Sequence, residues 1–171
     1  MPIQWLLRRR LLKRLPPLDQ VRSVLVMCTA NRVRSPFAAA ILSRAAPHVH
    51  VSSRGVIDGG TECPGEAIEA AAPYNIDLST HAARKVTGPE LLHADLLITM
   101  EVRMAHELVT KYPALAERVV PLRLFDPEES RVADIDDPYL LPVSEYVEAY
   151  ATIARCCTGL AARLSTGVSR G

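Results

Sequence analysis

Cys28 and Arg34 stand six positions apart in "MCTANRVRSP", with Ser35 and Pro36 directly after the arginine. A short apolar run from Ser23 to Met27 precedes the cysteine, and Phe37, Ala40 and Ile41 recur at helical spacing after the serine. The connecting loop therefore leaves a strand and closes into the first turn of a helix. Amides at a helix start lack intrahelical partners and sit at the positive end of the helix dipole. They favour an anion in the loop, and a thiolate over a thiol. Thr29, Ala30, Asn31, Arg32 and Val33 supply the loop. The planar fork of Arg34 suits two oxygens of a phosphate, and the Ser35 hydroxyl can donate to the sulfur. The chemistry this points to is attack of a cysteine sulfur on phosphorus.

Such a displacement needs a proton donor for the departing oxygen, on the opposite side of the phosphoryl group from the sulfur. Asp137 in "DDPYL" is the candidate; Pro138 stiffens its loop and Tyr139 offers an aromatic side to the pocket. Asp126, also followed by proline, is a rival that has no tyrosine after it. A cysteine at a strand end is often only a small buried hydrophobe. A strand before and a helix after the Cys-x5-Arg-Ser spacing favour the reactive reading.

The elements that would carry these residues alternate. His48 to Ser53 reads as a second strand, Gly65 to Tyr74 as a short helix and Leu78 to Val86 as a brief helical turn. Ala94 to Met100 reads as a third strand, Glu101 to Tyr112 as a helix, and Arg118 to Phe125 as a fourth strand. Val143, Val147, Tyr150, Ala154, Cys157, Ala161 and Leu164 mark one face of a long last helix. Short, continuously apolar strands between helices predict an α/β fold: an open, doubly wound sheet of about four parallel strands with helices on both faces. Ligands of such sheets bind at the carboxyl ends of the strands, where Cys28 lies.

At 171 residues, 49% of them hydrophobic, the chain can bury one substantial core. Its net charge of +1 gives no case for nucleic-acid binding, and no apolar run reaches membrane-spanning length. Cys28, Cys63, Cys156 and Cys157 form neither a zinc spacing nor a disulfide framework, which predicts a reducing, cytoplasmic location. Residues 1–15 carry five positive charges and no negative ones, so the other 156 residues bear −4. Residues 1–20 read as a basic amphipathic extension to a domain at 21–171. It either packs on that domain or makes peripheral membrane contact through residues 1–15.

Cys-x5-Arg-Ser after a strand near the N-terminus resembles the low-molecular-weight protein tyrosine phosphatase family. Ser53, Arg54 and Gly55, then "YNIDLSTHAARKV", "LLITME" and "DDPYL" match further motifs of that family in order, from about Ser23 onwards. The resemblance implies hydrolysis of phosphotyrosine on proteins through a phosphocysteine, without metal or cofactor. Cys28 would be the nucleophile, Arg34 the phosphate ligand and Asp137 the acid and then the base. It further implies that Asn31 organises the loop from a left-handed conformation, supported by Ser53 and His81, and that the partner is a phosphorylated protein such as a tyrosine kinase.

The chain departs from the family at several points. Ala30 replaces the usual glycine, which implies negative φ there or a slightly altered loop, with reduced activity as an expected consequence. Val33 stands where many members have a second cysteine, which predicts poor recovery from peroxide. Arg32 puts a cation on the rim, which would favour acidic substrates, and the wall loop "GVIDGGTECPG" has no aromatic residue. Three alternatives stay open: a phosphoarginine phosphatase, a thiol-dependent arsenate reductase, and a phosphate-binding module without turnover. The reductase needs relay cysteines some seventy to eighty residues after Cys28, and none is there. Oligomeric state is not read from the sequence.

Overall fold

A computed structural model describes residues 10–128 and 132–165. Four strands, β1 (Ser23–Cys28), β2 (His50–Gly55), β3 (Leu96–Thr99) and β4 (Val119–Pro121), form an all-parallel sheet in the order β2-β1-β3-β4. Around it lie α1 (Arg34–Ala45), α2 (Gly65–Ala71), α3 (Gly88–His93), α4 (Val102–Lys111) and α5 (Val143–Leu164). The expected doubly wound sheet of four parallel strands is the observed architecture.

The sheet is buried on both faces, and the period-2 alternation of strand side chains divides its residues between two cores. Val24, Val26 and Cys28 of β1, with Leu96 and Ile98 of β3, join the core beneath α1, α2 and α5. Leu25, Met27 and Leu97 join the opposite core with Met104 and Leu108 of α4. On the first side Phe37 of α1 stacks on Tyr150 of α5, with ring centroids 3.8 Å apart and planes 3° from parallel. The Tyr150 hydroxyl then donates to Val33 O at 3.0 Å, so the last helix is tied directly to the loop after β1.

From β1 the chain passes to β2 on one side and later to β3 on the other, so β1 is the strand where the winding reverses. Cys28 pairs with Gly55 of β2 and extends one residue past the β3 ladder, which ends at Met27 and Thr99. Its carboxyl end thus opens into the crevice where such sheets hold ligands.

Several expected elements differ. The second strand begins at His50 rather than His48. Leu78 to Val86 is no helical turn: Gly55 N donates to Arg84 O and Val86 N to Gly55 O, both at 2.8 Å, so its backbone is committed to the sheet edge and to the neighbouring loops. Helix α3 was not expected, although "TGPE" carries its signal, a capping box between Thr87 and Glu90 with proline in the first turn. The fourth strand stops at Pro121, and Leu122–Phe125 turns into a 3₁₀-helix. On α5, Val147 is 48% exposed while Tyr146, Ile153 and Leu160 are buried, because the larger side chains one position away fill the groove against α1. Of the basic N-terminal stretch, residues 1–9 lie outside the described residues; Leu12 and Leu15 pack against the core.

Candidate active site

Residues 28–34 wrap from the end of β1 into the first turn of α1. Asn31 has φ +58°, a left-handed value that asparagine tolerates better than most side chains. Its buried side chain uses both ends. Nδ2 donates to Ser35 Oγ at 2.9 Å and to Ser53 Oγ at 2.8 Å, while Oδ1 accepts from Arg84 N at 3.1 Å. His81 Nε2 lies 2.9 Å from Asn31 O and 3.2 Å from its Oδ1. Both are acceptors, so Nε2 carries the proton. Burial holds the His81 pKa below the ordinary histidine value, the Asn31 carbonyl opposes that shift, and the Arg54 charge adds to it. Asn31, Ser53 and His81 are thus joined in one hydrogen-bonded group.

Ser35 Oγ lies 3.0 Å from Cys28 Sγ. This oxygen also accepts from Asn31, and its hydroxyl can donate to the sulfur. The other three thiols are buried. Burial pushes Cys63 up to about 11, eased by Arg32, and Cys156 up to about 12; the fully enclosed Cys157 is also raised. These three remain protonated thiols at neutral pH.

Arg34 is wholly buried, an arrangement that a guanidinium tolerates only when it is paired. Nη1 donates to Glu101 Oε1 at 2.9 Å and to Ile135 O at 2.8 Å; Nη2 donates to Asp137 Oδ2 at 2.6 Å and to Thr29 Oγ1 at 3.3 Å. Its Nε is buried and has no partner among the described residues, which leaves one donor for an incoming oxyanion. Sequence reasoning did not assign Glu101. The acid that closes "LLITME" was its only signal, and nothing local connects it to an arginine sixty-seven positions away.

Asp137 belongs to a loop fastened from below. Ile135 N donates to Met100 O at 2.9 Å, Val102 N to Asp134 Oδ1 at 2.6 Å, and Arg123 Nη1 to Asp134 O at 3.2 Å. The rival Asp126 lies elsewhere, fully buried and gripped by Arg155 at 2.8 and 2.9 Å. Hydrogen bonding from Arg155 holds its carboxyl below the ordinary aspartate range, so it joins α5 to the loop after β4 as a structural ion.

A cleft of about 200 Å³ opens over the sulfur. Cys28, Thr29, Ala30 and Val33 line it, with Ile57 and Gly59 from the wall loop and Asp137 and Tyr139 from the acid loop. Ala30 stays out of the left-handed region, as expected, and its methyl fits because the facing residue is glycine: a Cβ on Gly59 would lie 2.6 Å from that of Ala30. Arg32 buckles the rim. Nε donates to Glu62 O at 2.5 Å, Nη1 to Gly59 O at 3.0 Å and to the Tyr139 hydroxyl at 3.3 Å, and the guanidinium lies 5.4 Å from the Tyr139 ring centre. All the residues singled out from sequence for this site therefore converge here. The arrangement can hold an oxyanion against a buried cation, with a sulfur nucleophile and a carboxyl group beside it.

The family model described as "Low molecular weight phosphotyrosine protein phosphatase" matches residues 23–170. The chain is 35% identical over 136 residues to the probable low molecular weight protein-tyrosine-phosphatase EpsP of Ralstonia solanacearum, covering 79% of this chain and 90% of that protein. It is 32% identical over 145 residues to the low molecular weight protein-tyrosine-phosphatase Etp of Escherichia coli, covering 84% and 95%. Among solved structures, the YwlE arginine phosphatase of Geobacillus stearothermophilus superposes with TM-score 0.77 at 26% identity, covering 85% of this chain and 94% of that one.

Proposed function

The chain belongs to the low molecular weight phosphotyrosine protein phosphatase family, and from that membership we propose that Cys28 carries the phosphoryl group of a protein phosphotyrosine during its hydrolysis. The observation that carries this reading is a cleft lined by both Cys28, beside the Ser35 hydroxyl, and Asp137, whose carboxylate binds the buried Arg34.

In the first step the Cys28 sulfur attacks phosphorus and the bond to the tyrosine oxygen breaks. The loop amides and Arg34 hold the equatorial oxygens, Arg34 Nε taking one of them, while Asp137 gives its proton to the leaving phenoxide. In the second, water attacks the phosphocysteine, Asp137 takes the water's proton and phosphate departs. Glu101 and the Ile135 carbonyl keep the guanidinium in place throughout. Thr29 Oγ1 and the Tyr139 ring flank the bound group.

The likeness to YwlE supports phosphoarginine as a second substrate. Arg32 weighs against it, because the guanidino group of that substrate would meet a pinned cation at the rim. Like-charge repulsion screened at a surface costs on the order of 1 kcal/mol, several-fold in kcat/KM. The tyrosine-phosphatase reading requires metal-free release of para-nitrophenol from para-nitrophenyl phosphate, absent in Cys28→Ser, and faster turnover of phosphotyrosine than of phosphoarginine. No release above the Cys28→Ser background would leave a phosphate-binding module; arsenate turnover with thioredoxin would favour the reductase.

The substrate we propose is a phosphorylated protein, a tyrosine kinase among the candidates, in the cytoplasm. No helix among the described residues is long and apolar enough to cross a membrane. Contact of residues 1–15 with an anionic membrane surface is part of the proposal, since their five positive charges stand against −4 on the rest.

A further inference from the structure

The acid loop ends in a tight turn: Leu141 N donates to Pro138 O at 2.9 Å, with Tyr139 and Leu140 between them. Leu140 has φ +66°, a left-handed value at a turn position that ordinarily takes glycine or asparagine. It is also 82% exposed. A leucine there strains the backbone, and its side chain gains nothing from burial in the isolated fold. The Leu141 N to Pro138 O bond closes the turn beneath Leu140, so the side chain is displayed from a hydrogen-bonded frame. Strain combined with apolar exposure beside a reaction centre marks a surface built for contact.

The neighbours extend that surface. Leu141 and Tyr139 are each about half exposed, as is Ile57 on the wall loop, and Tyr139 and Ile57 both line the cleft over Cys28. Leu140 follows Tyr139 directly in the chain, so the exposed leucines begin where the cleft lining ends. Building on the tyrosine-phosphatase reading above, we propose that Leu140 is a specificity-determining residue for protein substrates. Together with Leu141 it receives an apolar side chain that flanks the phosphotyrosine, so phosphosites with Leu, Ile, Val or Met beside the tyrosine are preferred over sites with small polar flanks. A bare aryl phosphate fills the cleft without reaching this shelf.

The test compares matched phosphotyrosyl peptides bearing Leu or Ser flanks, with para-nitrophenyl phosphate as the substrate that has no flank. Wild type is expected to show a five-fold or greater advantage in KM for the Leu-flanked peptide. Leu140→Gly relieves the strain and removes the side chain; it should erase that advantage while leaving para-nitrophenyl phosphate kcat/KM within two-fold. Leu140→Asn, which also tolerates the turn, should do the same. Equal KM for the two peptides in wild type, or an advantage that survives both variants, overturns the proposal. So does light scattering that shows the wild-type rim closing a dimer which Leu140→Gly dissolves. Failure of the underlying reading looks different: Cys28→Ser would match wild type in turnover, while anisotropy of labelled peptides would still report whether flanks matter.

Discussion

At the scale of single residues, two carboxyl groups address Arg34 and do different work. Asp137 is part exposed at the cleft and bonds the outer guanidinium nitrogen at 2.6 Å; Glu101 holds the other nitrogen at 2.9 Å. Proton transfer matters most when the leaving oxygen is basic. Asp137→Asn should therefore lower kcat by about 10²–10³ for phosphotyrosine and by much less for para-nitrophenyl phosphate, whose phenoxide leaves without help. A series of substituted phenyl phosphates reads this as a steeper dependence on leaving-group pKa. Glu101→Gln keeps an acceptor but removes the charge, a loss of about 1–2 kcal/mol for a charge-assisted bond. It should weaken inorganic phosphate inhibition about ten-fold with little change in leaving-group dependence. Cys28, Arg34 and Ser35 were legible because they are neighbours on one loop. Glu101 was not, since its partner is near only in space.

At the scale of elements, the loop after β1 is held from outside by three segments: Ser53 of β2, the extended stretch holding His81 and Arg84, and Tyr150 of α5. The extended stretch misled sequence reasoning because local pattern says nothing of a backbone whose bonds go to Gly55 and Asn31. His81 gives this support a pH dependence. Its folded pKa is depressed, so between that value and the ordinary 6.5 the unfolded chain binds more protons, and stability rises with pH and is lost as pH falls through the window. Denaturant midpoints measured from pH 7.5 down to 5 should fall in wild type. His81→Gln, which keeps a donor near Asn31 but does not titrate, should flatten that slope.

Helix α5 and the 3₁₀-helix after β4 meet at Gly159, where a Cβ would lie 2.0 Å from Phe125 O. A main-chain oxygen cannot swing aside as a side chain does. Gly159→Ala should cost about 2–3 kcal/mol by overpacking and lower the thermal midpoint by several degrees, as calorimetry would read.

At the scale of the whole molecule, the sheet order β2-β1-β3-β4 sets Ser53 of β2 and Glu101 after β3 on either side of the carboxyl end of β1. The matched family region begins at Ser23, and we propose residues 21–171 as the catalytic domain with the basic stretch as an addition. A chain lacking residues 1–9 should turn over para-nitrophenyl phosphate within two-fold of wild type, and co-sedimentation with anionic vesicles should drop if those residues supply the membrane contact. Deletion through residue 15 is expected to lower the thermal midpoint as well, because Leu12 and Leu15 pack on the core.

By itself the amino-acid sequence determined the chemistry and the class of fold. A nucleophile, an arginine and a helix start joined by a few peptide bonds cannot move far apart, and apolar strands alternating with helical periods leave few ways to bury both faces of a sheet. Only the tertiary structure decided which carboxylate meets which cation. Asp126 and Asp137 both precede proline, yet one is sealed against Arg155 and the other reaches Arg34. Coulombic pairing depends on distance through space, and that distance is set by how α5 and the loops close over the sheet rather than by any spacing along the chain.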